Sequence, residues 1–118
     1  MDGEIDGEEL RSVLDDEAAR VVDIRSPAAF ARGHIPGSEN VPLGRLVDEV
    51  EQFDGDDRVV TVCPKGKSSV QAARLIASYE GFEGRVESFA PGLQGWDGPI
   101  EERGADAGGA DEGPDAPF

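Results

Sequence analysis

The chain has one cysteine, one histidine, one tryptophan and only two lysines among its 118 residues. A lone cysteine cannot close an internal disulfide, and one Cys with one His cannot complete a zinc cage, so no metal and no cofactor is expected. Aromatic residues make up 6%, and no apolar run approaches the roughly 18 residues that a spanning helix requires. The opening MDGEIDGEEL lacks the basic start and apolar stretch of a signal peptide, which leads to the expectation of a cytoplasmic location. Positive charge is scarce as well. Eleven Lys and Arg stand against 26 Asp and Glu, for a net charge of −15, which argues against nucleic acid and anionic membranes as partners.

What the chain has in abundance is acid, spread along its length as well as gathered at its end. That spread resembles adaptation to high salt, where counter-ions screen self-repulsion. Residues 97–118, DGPIEERGADAGGADEGPDAPF, hold seven acids, five glycines and three prolines with few apolar side chains. Such a stretch buries too little surface to offset its ordering entropy and reads as a flexible acidic tail. A single domain is therefore expected within residues 1–96.

Inside that span, helical and strand patterns alternate. Asp6 caps a short helix over Gly7 to Asp15, and RVVDI (20–24) is a β-branched run expected as a buried strand. Ser26-Pro27 supplies an N-cap and a first-turn proline for a brief helix through Ala31. GHIPGSENVPL is loop, with a short strand near Asn40-Val41. Leu43 to Gln52 places Leu43, Leu46, Val47 and Val50 at helical spacing. RVVTV (58–62), after the FDGDD turn, is the strongest strand pattern. The next helix carries Val70, Ala73, Leu75, Ile76 and Ala77 inward and stops at Gly81. RVESF (85–89) alternates like a strand, and GLQGW adds one helical turn. Strands alternating with helices predict an α/β domain with a small, mainly parallel sheet flanked by helices on both faces.

Cys63 falls at the carboxyl end of the RVVTV strand, one short loop before a helix. In open α/β sheets that edge is where ligands bind. The loop PKGKS brings one glycine, both lysines of the chain and a serine, and the following helix offers free backbone amides to an anion. From Arg58 to Tyr79 there are four cations and no acid over 22 residues. A thiol in that setting is biased toward thiolate, the nucleophilic form. The plainer alternative is a buried cysteine ending a strand beside two solvated lysines. Glycine, helix start and local charge all favour the reactive reading.

At this point the sequence resembles the rhodanese family of sulfurtransferase domains. DIRSPAAFARGHIPGSENVPL is similar to the family's Asp-x-Arg, Gly-His-Ile-Pro-Gly and Asn-x-Pro block. CPKGKSSVQAARL resembles its active-site loop, and PGLQGW its closing block. Together these span residues 20–96 in the family's order.

The resemblance implies the rhodanese-like fold and a sulfurtransferase in which Cys63 takes a sulfane sulfur as a persulfide and passes it to a thiophilic acceptor. It implies that the amides of Lys65, Gly66, Lys67, Ser68 and Ser69 cradle the sulfur and the incoming anion, and that Asp23 and Arg25 hold the loop region together. The partners it implies are a small anionic donor such as thiosulfate and a thiol or cyanide-like acceptor, with a sulfur-relay protein under the alternative reading. That alternative is a sulfur carrier or regulatory module with little thiosulfate turnover. Many active members carry Arg just before the loop's serine, where this chain has Ser68, and Lys65 and Lys67 are left to supply the charge. Pro91 stands where the family often has glycine. A phosphatase or arsenate reductase on this fold calls for a longer loop ending in Arg, which Ser68 and Ser69 do not provide. His34, Phe30 and Trp96 read as structural.

Overall fold

The computed structural model describes residues 1–102; residues 103–118, most of the stretch read as a tail, lie outside the described residues. Five strands, β1 (Glu4–Ile5), β2 (Ala19–Asp23), β3 (Glu39–Asn40), β4 (Arg58–Val62) and β5 (Arg85–Phe89), form one sheet in the order β1-β5-β4-β2-β3. Every pairing is parallel. Parallel neighbours need crossover connections. Helices α1 (Gly7–Leu14), α2 (Pro27–Arg32), α3 (Leu43–Glu49) and α4 (Ser68–Ser78) supply one between each pair of strands successive in sequence. β4 is thus the central strand, and its carboxyl end opens directly toward α4.

Strand alternation divides the core in two. Val22, Val59 and Cys63 face Leu46 of α3, Phe53, and Ala72, Ala73 and Ile76 of α4. Val21, Val60, Val62 and Phe89 face Leu10 and Val13 of α1, with Ile35 and Trp96. Helices therefore cover both faces of the sheet, as the α/β pattern predicted. The caps are also as read: the Asp6 carboxylate accepts from the Glu9 amide at 3.0 Å, and Ser26 Oγ accepts from the Ala29 amide at 3.2 Å.

Four local readings need correction. The two-residue β1, which pairs with β5, carries no period that a pattern search could register. The helix expected to reach Gln52 ends at Glu49 and tightens into a 3₁₀ turn over Val50–Phe53. Val47 consequently lies at the edge of the stripe formed by Leu43, Leu46 and Val50, and it is 61% exposed. On α4 the inward face is Ser69, Ala72, Ala73 and Ile76, with Ala77 exposed. These small residues, spaced i, i+3, i+4, i+7, let the helix lie close to the sheet. Finally, β5 does not alternate: Val86, Glu87, Ser88 and Phe89 are all buried, because β5 lies between β1 and β4 with both of its faces covered.

Glu87 is consequently a buried carboxylate held by two arginines. Arg58 Nε donates to it at 2.8 Å and Arg85 Nε at 2.7 Å, while Arg58 Nη2 reaches Glu9 on α1 at 3.0 Å. The cluster ties the start of β4, β5 and α1 together. Glu87→Ala is expected to lower stability by about 2–3 kcal/mol, somewhat below the figure for a fully buried pair because both arginines retain access to water. Urea unfolding measures it; a midpoint equal to that of the unaltered protein would show that the cluster contributes nothing net.

Candidate active site

The loop after β4 turns back over its own cysteine. Gly66 adopts φ +82°, the left-handed region, and its amide donates to Cys63 Sγ at 3.1 Å. A side chain at this position would be driven into the Ala90 carbonyl oxygen. The PGLQGW segment straps the loop from outside. Leu93 N donates to Cys63 O at 2.8 Å and Gln94 N to Pro64 O at 2.9 Å. Gly92, at φ +71°, lies so near that a Cβ there would sit 2.6 Å from the Gly66 nitrogen. Trp96 anchors the strap, packing edge-on against Phe89 and donating from Nε1 to Pro99 O at 3.0 Å. The sequence resemblance marks this segment only as a closing block; the structure makes it the outer wall of the cysteine loop.

Cys63 is 1% exposed. Burial alone raises a thiol's pKa, but hydrogen bonds outweigh it here. The Ser69 side chain and the amides of Ser69, Lys65 and Gly66 all favour the thiolate and hold the group below its ordinary value. Ser69, named from sequence for its amide, also presents its side chain: in the thiol form Cys63 Sγ donates to Ser69 Oγ at 3.3 Å. Ser69 Oγ in turn lies 2.6 Å from Ser88 Oγ on β5, and Thr61 Oγ1 donates to Ser69 O at 2.7 Å. Neither Ser88 nor Thr61 was legible as part of a site, since each is one small polar residue inside a strand.

Around the sulfur lies a cleft of about 330 Å³, lined by Ile24, Arg25, Ser26, Ala29, Leu43, Cys63, Pro64 and Ser68. Arg25, which lines the cleft, is ion-paired with Asp23. The buried Asp23 carboxylate takes a forked pair of bonds from Arg25 Nε and Nη2, at 3.0 and 2.8 Å, and Arg25 Nη2 also donates to Gly33 O. Asn40 Nδ2 closes the turn by donating to the carbonyls of both Asp23 and Arg25. Arg25 Nε and Nη2 are thereby committed to framework bonds. Lys65 and Lys67 are exposed on the loop, outside the cleft lining, and pair with no carboxylate among the described residues.

His34 is buried away from the cleft. Its ring stacks on Phe30 at 3.8 Å, and its Nδ1 bonds to Phe30 O at 2.7 Å, which requires the proton on Nδ1 because a carbonyl only accepts. Its backbone forms a bridge with Glu101. Among the described residues no group of three His, Cys, Asp or Glu could hold a metal ion, and no helix is long and apolar enough to cross a membrane.

The model of the Rhodanese-like domain matches residues 6–98. The chain belongs to the rhodanese-like family. It is 39% identical over 83 residues to the thiosulfate sulfurtransferase GlpE of Pseudomonas paraeruginosa, covering 70% of this chain and 74% of that protein. It is 30% identical over 99 residues to the protein named "Putative sulfur carrier protein YrkF" of Bacillus subtilis, across 83% of this chain and 52% of the relative. The rhodanese-like chain thus spans about half the length of YrkF. Among solved structures, the human single-domain sulfurtransferase TSTD1 superposes with a TM-score of 0.62 at 30% identity, covering 78% of this chain and 92% of that one. These relatives support sulfurtransferase activity for the rhodanese-like domain.

Proposed function

We propose that the protein is a single-domain sulfurtransferase that carries sulfane sulfur on Cys63. The observation that carries the reading is the buried Sγ at the carboxyl edge of β4, hydrogen-bonded by the Gly66 amide and open to a cleft. With thiosulfate as donor, the Cys63 thiolate attacks the sulfane sulfur. An S–S bond forms to Sγ, the bond to the sulfonate sulfur breaks, and its electron pair leaves with sulfite. An acceptor thiolate or cyanide then attacks the outer sulfur, the Sγ–S bond breaks, and the Cys63 thiolate returns. The loop amides face the terminal sulfur of the persulfide, and Asp23 with Arg25 keeps the opposite wall in place.

Lys65 and Lys67 supply the long-range attraction for the anionic donor. Each exposed ammonium contributes on the order of 0.5–1 kcal/mol at low salt, so the double variant Lys65→Ala/Lys67→Ala should raise the KM for thiosulfate roughly tenfold with kcat little changed. Raising the salt should weaken donor binding to the unaltered protein and leave the double variant nearly flat. Equal KM values at low salt would assign the anion to the loop amides alone. The activity itself is tested by sulfite release from thiosulfate in the presence of a thiol acceptor. No sulfite with thiosulfate, together with no sulfur transfer from any other sulfane donor, would overturn the enzyme reading.

The likeness to YrkF favours a second reading in which the same persulfide is filled by a partner protein. Slow thiosulfate turnover with fast loading from a persulfidated protein would select it.

A further inference from the structure

Behind Cys63 lies a chain of hydroxyls that the sulfur chemistry as written does not use. Ser69 Oγ sits 3.3 Å from the sulfur and 2.6 Å from Ser88 Oγ. The two serines come from different elements, the first turn of α4 and the interior of β5, and both are fully buried, as is Thr61. Thr61 fixes the Ser69 carbonyl at 2.7 Å, which sets the position of the first turn of α4 relative to the sheet. Water has no access to these groups from that side, so the hydroxyls must satisfy one another.

We propose that Ser88 is a positioning residue for Cys63, acting through Ser69 in a hydroxyl chain that reverses direction when the sulfur becomes an anion. Proton counting allows the reversal. Each serine hydroxyl has one proton to donate. While Cys63 is a thiol, S–H points to Ser69 Oγ, and in the proposed chain Ser69 donates to Ser88, one of the two directions that their contact allows. Once the sulfur is a thiolate, or an inner persulfide sulfur beside a terminal anion, it has no proton to give, and Ser69 turns its own proton toward it. The 2.6 Å contact then persists only if Ser88 turns as well and donates to Ser69. No proton travels along the chain; the thiol proton leaves to solvent by the cleft, and the hydroxyls rotate.

The two arrangements differ in worth. In the thiol state every link joins neutral groups. In the anionic state two aligned O–H dipoles face a charge, and charge-assisted bonds are about twice as strong as neutral ones and polarise one another. Removing the outer hydroxyl therefore harms the anionic state more. Ser88→Ala should raise the Cys63 pKa, with the ionisation constant of the thiol lowered roughly three- to tenfold. Ser88→Thr, which keeps the hydroxyl, should restore most of it.

The titration can be followed by ultraviolet absorbance of the thiolate in the protein without any sulfur donor. Cys63 is the only thiol, and burial, with the nearby Asp54 and Glu51, pushes the single tyrosine, Tyr79, to higher pH. The proposal expects three results: a raised pKa in Ser88→Ala, a near-normal one in Ser88→Thr, and no further change when Ser88→Ala is added to Ser69→Ala. Sulfur transfer should fall by the same factor at pH values below the Cys63 pKa and converge with the unaltered protein at high pH. An unshifted pKa in a folded Ser88→Ala protein, or equal shifts from Ser88→Ala with and without Ser69, would overturn it.

If Ser88→Ala does not fold, the hydroxyl protons of the unaltered protein decide. Proton NMR should show both the Ser69 and Ser88 signals moving as Cys63 titrates, and a Ser88 signal indifferent to that titration would contradict the chain. The proposal takes its catalytic meaning from Cys63 as the sulfur-bearing nucleophile, but these titrations need no donor. Its failure is therefore distinguishable from the failure of that reading.

Discussion

Cys63→Ser is expected to lower sulfur transfer by about 10³-fold or more, to the background rate, while unfolding within about 1 kcal/mol of the unaltered protein. Serine differs from cysteine by one atom and fits the same pocket. Its oxygen can accept from the Gly66 amide that now reaches sulfur at 3.1 Å and can bond to Ser69 Oγ. What it lacks is a readily ionised nucleophile: the loop and Ser69 favour a thiolate, whereas the same bonds cannot bring an aliphatic hydroxyl into the accessible pH range. Sulfite release and urea unfolding on one preparation test both halves. Substantial residual transfer would mean that the sulfur is carried elsewhere, and a large stability loss would mean that the cysteine is there to pack.

Gly66→Ala is the second change expected to act strongly, and for a different reason. The backbone at φ +82° disfavours any side chain, by about 1 kcal/mol for alanine. More important, the new methyl would be driven into the Ala90 carbonyl oxygen, so the loop must move away from β5. The amide at Sγ moves with it, and displacement of a reacting group by about 1 Å costs on the order of 10²-fold in rate. The expected outcome is a loss of about 3 kcal/mol in stability, a Cys63 pKa shifted up toward that of a free thiol, and transfer reduced about 100-fold. Gly55→Ala is the control. Gly55 has the same φ of +82°, but a methyl group there would meet nothing within 4 Å, so it should show only the conformational part. Equal effects at the two glycines would remove the contact with Ala90 from the account.

The architecture was readable because it rests on signals with a period or a cap. β-Branched runs marked β2 and β4, Asp6 and Ser26 marked helix starts, and strand–helix alternation implied the parallel pairing that the sheet shows. Where the pattern was apolar but the contact was not, the reading erred. On α4, apolar spacing placed Val70 and Ala77 inward beside Ala73, Leu75 and Ile76, whereas Ala77 is exposed and the helix turns Ser69 inward to reach the sulfur and Ser88. On β5, an apparent alternation concealed a strand covered on both faces, with Glu87 buried against two arginines that only the tertiary structure brings together. β1 is too short to show any period.

For the candidate site, the sequence pointed to some of the residues that the structure brings together. Charge placement singled out Lys65, Gly66 and Lys67 around Cys63, and the Asp23–Arg25 pair was expected as a support and is present as a forked ion pair. The strap over the loop was not visible, because Gly92, Leu93 and Gln94 lie far along the chain and act through backbone atoms. Ser88 and Thr61 were silent for the related reason that a small hydroxyl inside a strand has no local signature. Both lysines stand outside the cleft lining, so under the proposed function they act on the donor from outside the cleft.

The claim at the centre of this account is that Cys63 holds a transferable sulfur, and intact-mass measurement after incubation with a sulfane donor tests it most directly. The account predicts a species heavier by one sulfur atom, located by peptide mapping on the fragment containing Cys63, lost on addition of cyanide or a thiol and absent from Cys63→Ser. Unchanged mass with thiosulfate and with organic persulfides, in protein shown to be folded, would contradict it.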